Sequence, residues 1–224
     1  MRPRKLEGVL LDVDGTLIDS NGAHARSWSD TLREFGYDIS AERVRPLIGK
    51  GGDKLLPELI GVEVDSEHGR AMTERRAGIF RDRYIPALRQ TRGARALVER
   101  LRREGLQLII ATSANEEELR PMLRQVGLED LLAKKTSSDD ADHSKPDPDI
   151  IVAALEKGGL APDAAILLGD TPYDVEAAAR ASVETVALLS GGWNADALHG
   201  AVAIYEDPDD VLRHFTASPF ACVG

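Results

Sequence analysis

The stretch Gly8 to Asp19, GVLLDVDGTLID, sets the terms for the rest of the chain. Its apolar run Val9, Leu10, Leu11 has the character of a strand covered on both faces, and Gly15 and Thr16 stop it. Two carboxylates, Asp12 and Asp14, are thereby delivered to the carboxyl end of a strand. In an open α/β sheet, the crevice outside those strand ends is where ligands bind. The two acids have the same parity, so they can face one pocket. Close carboxylates repel unless a cation or a shared proton relieves them. Taken alone, the stretch also reads as a strand closed by a solvated Asp-Gly turn, and the residues further along the chain decide between the two.

Downstream of Thr16 the pattern changes. Trp28, Leu32 and Phe35 predict a helix over 23–35, with Ser20 or Asn21 as N-cap. Helical patterns continue over 40–48, 54–60 and 66–88, with no strand among them. Helix and strand then alternate: helix 93–104 closed by Gly105, strand 106–111, helix 116–126, and a weaker strand at 133–136. Helix 147–157, strand 164–168, helix 173–181, strand 183–188, strand 201–204 and helix 209–215 complete the series. Such alternation predicts an α/β fold, a Rossmann-like parallel sheet core joined by right-handed crossovers, with an α-helical domain inserted after the first strand. The expected division is 1–17 and 90–224 for the core and 18–89 for the insertion. Gly191 to Trp193 reads as a structural loop.

Charge and composition narrow the partners. With 28 basic against 38 acidic residues the net charge is −10, which disfavours nucleic acid. The start MRPRKLEG has no apolar segment of the kind a signal peptide carries, and no apolar run approaches a membrane span. A single cysteine, Cys222, allows no internal disulfide and suits a reducing, cytoplasmic compartment.

Three further stretches fall at predicted strand ends or helix entrances. LIIATSAN puts Thr112 and Ser113 where the second core strand leaves the sheet, a hydroxyl with following N–H groups suited to phosphate oxygens. SKPDPDI holds Lys145 before a proline at a helix entrance, a candidate for a fixed cation. ILLGDTPYDVEAA ends a strand on Asp170 and begins a helix with Asp174, an oxygen donor set of the kind Mg²⁺ prefers. Together with DVDGT, these four stretches, in this order, resemble the motifs of the haloacid dehalogenase superfamily. The helical insertion resembles the cap that many of its members carry, which closes over substrate and excludes water.

The resemblance implies a Mg²⁺-dependent phosphatase acting on a small phosphorylated metabolite. Asp12 is then the nucleophile, Asp14 the general acid and base, and Lys145 the counter-charge. Thr112 and Ser113 would hold phosphoryl oxygens. Asp12, the Asp14 carbonyl, Asp170 and Asp174 would hold the metal. Asp14 argues against the carbon–halogen-cleaving members, which lack that acid, and against the phosphonate hydrolases, whose motif resembles DxAGT. In the insertion, DSNGAHARSW with His24 and LIGKGGDK with Lys50 resemble β-phosphoglucomutase and related sugar phosphatases, and both residues are candidates for substrate contact. Gly52 stands near the position where the mutases carry a phosphate-binding arginine. Arg75 and Arg76 lie in an arginine-rich helix and are read as solvated. A mutase-like phosphotransferase is the rival reading. A non-catalytic interaction protein of the same fold would have lost a motif residue, and none is lost.

Overall fold

The computed structural model describes residues 5–132 and 134–221. Six strands, β1 (Gly8–Leu11), β2 (Gln107–Ala111), β3 (Lys134–Thr136), β4 (Ala165–Gly169), β5 (Glu184–Leu188) and β6 (Ala203–Tyr205), form one sheet in the order β3-β2-β1-β4-β5-β6. Every pairing is parallel. The core helices are α5 (Ala94–Arg103), α6 (Glu116–Gln125), α7 (Asp149–Gly158), α8 (Pro172–Arg180) and α9 (Pro208–Arg213).

The all-apolar composition of β1 is explained by its central place. Val9 and Leu11 point into one layer with Leu97 and Leu101 of α5, Met122 of α6 and Val211 of α9. Leu10 points the other way, onto Ile150 and Ile151 of α7 and Ala177 of α8. Side chains that alternate across a strand covered on both faces must all be apolar. Leu11 is in register with Ile110 on one side and Leu168 on the other, so β1, β2 and β4 end at a common edge. Successive strands are added outward on opposite sides of β1, which makes that edge a topological switch point.

Between β1 and β2 lie the helices α1 (Asn21–Glu34), α2 (Ala41–Val44), α3 (Gly52–Ile60) and α4 (Glu67–Ile79). They bury a core of their own, built on Trp28, Leu32, Leu55, Leu56 and Met72. The segments entering and leaving this insertion pair with each other. Asp19 N–H donates to Arg89 O at 3.0 Å, and Thr91 N–H donates to Leu17 O at 3.0 Å.

The helix expected over 66–88 is shorter than its pattern. It ends at Ile79 and passes through a wider turn at Phe80–Tyr84 into a tight one at Ile85–Ala87. Pro86 has no N–H with which to extend a helix. Ser20 precedes α1 but makes no side-chain cap; its hydroxyl is used elsewhere. Ala133 and Cys222, singled out in the sequence, lie outside the described residues. Among the described residues, no helix is long and apolar enough to cross a membrane.

Candidate active site

The common strand edge gathers the polar residues that the sequence singled out. Asp12 follows β1, Thr112 follows β2 and Asp170 follows β4. Lys145 arrives from the loop before α7, and its Nζ donates to Asp12 Oδ1 and to Asp174 Oδ1, each at 2.6 Å. Asp174 is fixed by a capping box at the start of α8: its Oδ2 accepts from the Thr171 hydroxyl at 2.6 Å and the Thr171 N–H at 3.0 Å. Asp170 accepts from Thr16 Oγ1 at 3.0 Å and Asn21 Nδ2 at 2.8 Å. Backbone room is as necessary as the side chains. A Cβ on Gly15 (φ +78°) or on Gly191 would overlap the Asp170 carboxylate.

Carboxylate oxygens of Asp12, Asp170 and Asp174 lie within 4.8 Å of one another, and all three residues are buried. Against three negative charges the cluster sets one lysine, a net of −2 away from water. Burial pushes Asp12 up from the usual 3.8 to about 7; Lys145 opposes the rise, and Asp174 and Asp14 add to it. Burial also raises Asp170 well above the carboxylate range, with Asp12 and Asp174 adding to the effect. For Lys145 burial works the other way, but the two carboxylates outweigh it and hold the ammonium well above its usual range. The lysine therefore stays charged, and the unrelieved repulsion falls on the acids. The Oδ1 of Asn21, next to Asp170, is buried without a hydrogen-bond partner. An all-oxygen donor set with excess buried negative charge fits a divalent cation.

Above this cluster opens a cleft of about 320 Å³, lined on the sheet side by Asp12, Asp14, Thr112 and Ser113 and on the insertion side by His24 and Lys50 among others. Asp14 Oδ1 accepts from the Ser20 hydroxyl and faces His24 Nε2 at 2.7 Å. Burial pushes Asp14 up, but His24, the Ser20 hydroxyl and Arg76 together outweigh it and hold the carboxyl below its usual range. The His24 ring stacks on Phe80 with centroids 4.1 Å apart, and its Nδ1 meets the Arg76 guanidinium. Thr112 Oγ1 accepts from the Ala114 N–H at 3.1 Å, and Ser113 Oγ donates to Gly49 O at 3.4 Å. Lys50 is bound to Glu58 and lies over the Tyr173 ring, 4.9 Å from its centroid.

Arg76 differs from its sequence reading. Only 8% exposed, it forks onto Glu118 of α6 at 2.9 and 2.6 Å and donates to Ser27 Oγ at 3.2 Å. Its neighbour Arg75 is the solvated one, paired with exposed Glu34. The signal for Arg76 was present in the spacing: Met72, Arg76 and Ile79 fall on the buried stripe of α4. Sequence reasoning also passed over Glu118, Ser20 and Asn21 as site residues. Ser144 and Asp53 were missed as well; Ser144 Oγ accepts from the Gly51 N–H at 3.0 Å and donates to Asp53 Oδ1 at 2.5 Å, tying the 48–54 turn to the sheet side. The Gly191–Trp193 loop is structural, with Gly191 O accepting from Arg45 and Trp193 meeting Tyr173 edge-on.

Known proteins share this frame. The family described as haloacid dehalogenase-like hydrolase matches residues 9–188. A phosphoglycolate phosphatase of Pseudomonas putida is 29% identical over 214 residues, covering 93% of this chain and 77% of that protein. A phosphorylated carbohydrates phosphatase of Thermotoga maritima is 25% identical over 217 residues, covering 93% of this chain and 97% of that one. Among solved structures, a hydrolase from Pseudomonas syringae superposes with a TM-score of 0.88 at 31% identity, covering 94% of this chain and 98% of the other.

Proposed function

Because the chain belongs to the haloacid dehalogenase-like hydrolase family, we propose that it is a Mg²⁺-dependent phosphatase hydrolysing a small phosphorylated metabolite in the cytoplasm. The observation that carries this reading is Asp12, a buried carboxylate held on Lys145 at the floor of an open cleft, with two more acids behind it. Phosphatases among the relatives support the reaction class. Residues 18–89 form the cap, stemmed at the paired segments on either side of them.

In the first step an Asp12 oxygen bonds to phosphorus and the bond to the leaving oxygen breaks, giving an aspartyl-phosphate. The leaving oxygen takes a proton from Asp14, which His24 Nε2 faces at 2.7 Å. In the second step water attacks phosphorus, Asp14 takes its proton, and Asp12 is released. Thr112 and Ser113 hold the transferring oxygens, and Lys145 screens Asp12 from the incoming anion. Asp12, Asp170 and the Asp14 carbonyl would hold Mg²⁺, which supplies positive charge against the phosphoryl oxygens. Asp174 completes the oxygen cluster beside them, steadied by Lys145 on Oδ1 and by the Thr171 hydroxyl on Oδ2.

A panel of phosphomonoesters assayed for free phosphate, with Mg²⁺ and with EDTA, tests the proposal. Release with Mg²⁺ that EDTA abolishes is the expected result, and no release from any ester would overturn it. A sugar monophosphate supplied with a trace of its bisphosphate separates hydrolysis from transfer: isomerised sugar phosphate in place of free phosphate would make this chain a mutase.

A further inference from the structure

The cleft's charge inventory says something about the part of the substrate that is not phosphate. Beyond Asp12 and Asp14, it is lined by Asp53, Glu118 and Asp142 against two cations, Lys50 and Arg76. Neither cation is free. The Arg76 guanidinium is forked onto both Glu118 oxygens, with the two side chains each 10% exposed. Lys50 Nζ is held by Glu58 and covered by the Tyr173 ring. Of the added acids, Asp53 is bound to Ser144, so it is not an open partner either. The rest of the insertion side is apolar or uncharged, with Trp28, Ile48, Val64 and Thr73.

Resting on the phosphatase reading above, we infer that the alcohol released by this enzyme carries no second anion: the cleft takes the phosphomonoester of an uncharged hydroxylated compound. A carboxylate or second phosphate in the leaving group would face half-buried Asp53 and exposed Asp142, with no unpaired lining cation among the described residues to receive it. An anion set beside like charges without a counter-charge is penalised. Trp28 offers a hydroxylated carbon skeleton an apolar face, and Thr73 and Asn115 offer its hydroxyls polar partners.

Glycerol 3-phosphate and 3-phosphoglycerate are a matched pair, differing by a hydroxymethyl group against a carboxylate, and p-nitrophenyl phosphate reports phosphoryl chemistry independently of either. The expected kcat/KM favours glycerol 3-phosphate by about tenfold or more. Glu118→Gln, which frees Arg76, and Glu58→Gln, which frees Lys50 from a position half exposed to solvent, should each narrow the gap. The narrowing should come through a lower KM for 3-phosphoglycerate. The surface position of Glu58 keeps the test open should the Glu118 variant fold poorly. Hydrolysis of p-nitrophenyl phosphate with equal or better use of 3-phosphoglycerate by the wild-type chain would overturn this inference alone. No hydrolysis of any of the three would overturn the phosphatase reading and this inference with it.

Discussion

Replacing Asp12 with asparagine should make the cation-free protein more stable while abolishing turnover. A carboxyl whose folded pKa lies above its unfolded value takes up a proton on folding. Its contribution is therefore most favourable at low pH and is lost as pH rises from the unfolded value through the folded one. For Asp12 that window runs from 3.8 to about 7, and the loss across it is about 4 kcal/mol. Asparagine has no charge to desolvate, and Lys145 keeps Asp174 at 2.6 Å. Allowing that an amide replaces a protonated carboxyl imperfectly, the gain at pH 8 is about 2 kcal/mol. For a chain of this length, that raises Tm by roughly 4–8 °C. At pH 5 the loss has reached only about 2 kcal/mol, because wild-type Asp12 is then largely protonated in the fold, so after the same allowance for the amide the difference should vanish. Thermal unfolding of both proteins in EDTA at the two pH values, with phosphate release measured alongside, is the assay. A variant that melts below wild type at pH 8, or by a margin independent of pH, would refute the charge argument. Retained turnover would remove Asp12 from its assigned role.

Three further outcomes rest on the same geometry. Saturating Mg²⁺ should raise the wild-type Tm clearly at pH 8, with about 2.7 kcal/mol expected at a hundred times Kd, and the shift should fade by pH 5 as protons occupy Asp12 and Asp170. Gly191→Ala places a methyl group on the Asp170 carboxylate; it should weaken the Mg²⁺-induced Tm shift and lower kcat by about 10–100-fold, with the far-UV circular dichroism unchanged. Arg76→Met strands Glu118 and should cost about 3 kcal/mol in urea unfolding, most of it recovered when Glu118 is also replaced by methionine. Equal losses in the single and double variants would mean the pair is not the source.

What could be read from the chain, and what could not, divides along a physical line. The strands were legible because a central strand buried on both faces must be an unbroken apolar run, as β1 and β4 are. The placement of Asp12, Thr112 and Asp170 followed from where those runs stop. Arg76 was not legible by composition: an arginine among arginines reads as solvated. Its spacing placed it on the buried stripe of α4, but its partner Glu118 stands 42 residues away on another element, and no local pattern reports a partner at that distance. Ser20 misled in the opposite sense. It stands where an N-cap belongs, yet its hydroxyl goes to Asp14, because a half-buried carboxylate without donors is costlier than an uncapped helix end.

That use of Ser20 bears on why the insertion sits where it does. Ser20, Asn21 and His24 are among the first residues of the insertion, and they reach back to Asp14, Asp170 and Asp14 respectively. The start of α1 is therefore part of the site floor, and it cannot shift without taking donors from two acids. Across the cleft, Arg76 anchors α4 to α6 through Glu118 while touching His24. The insertion is thus tied to the sheet on both sides of the cavity by groups that also set the charge around Asp14. A helical block attached only by its connecting segments would leave those carboxylates to water, and the cleft would lose the desolvation that gives Lys145 and a bound cation their effect.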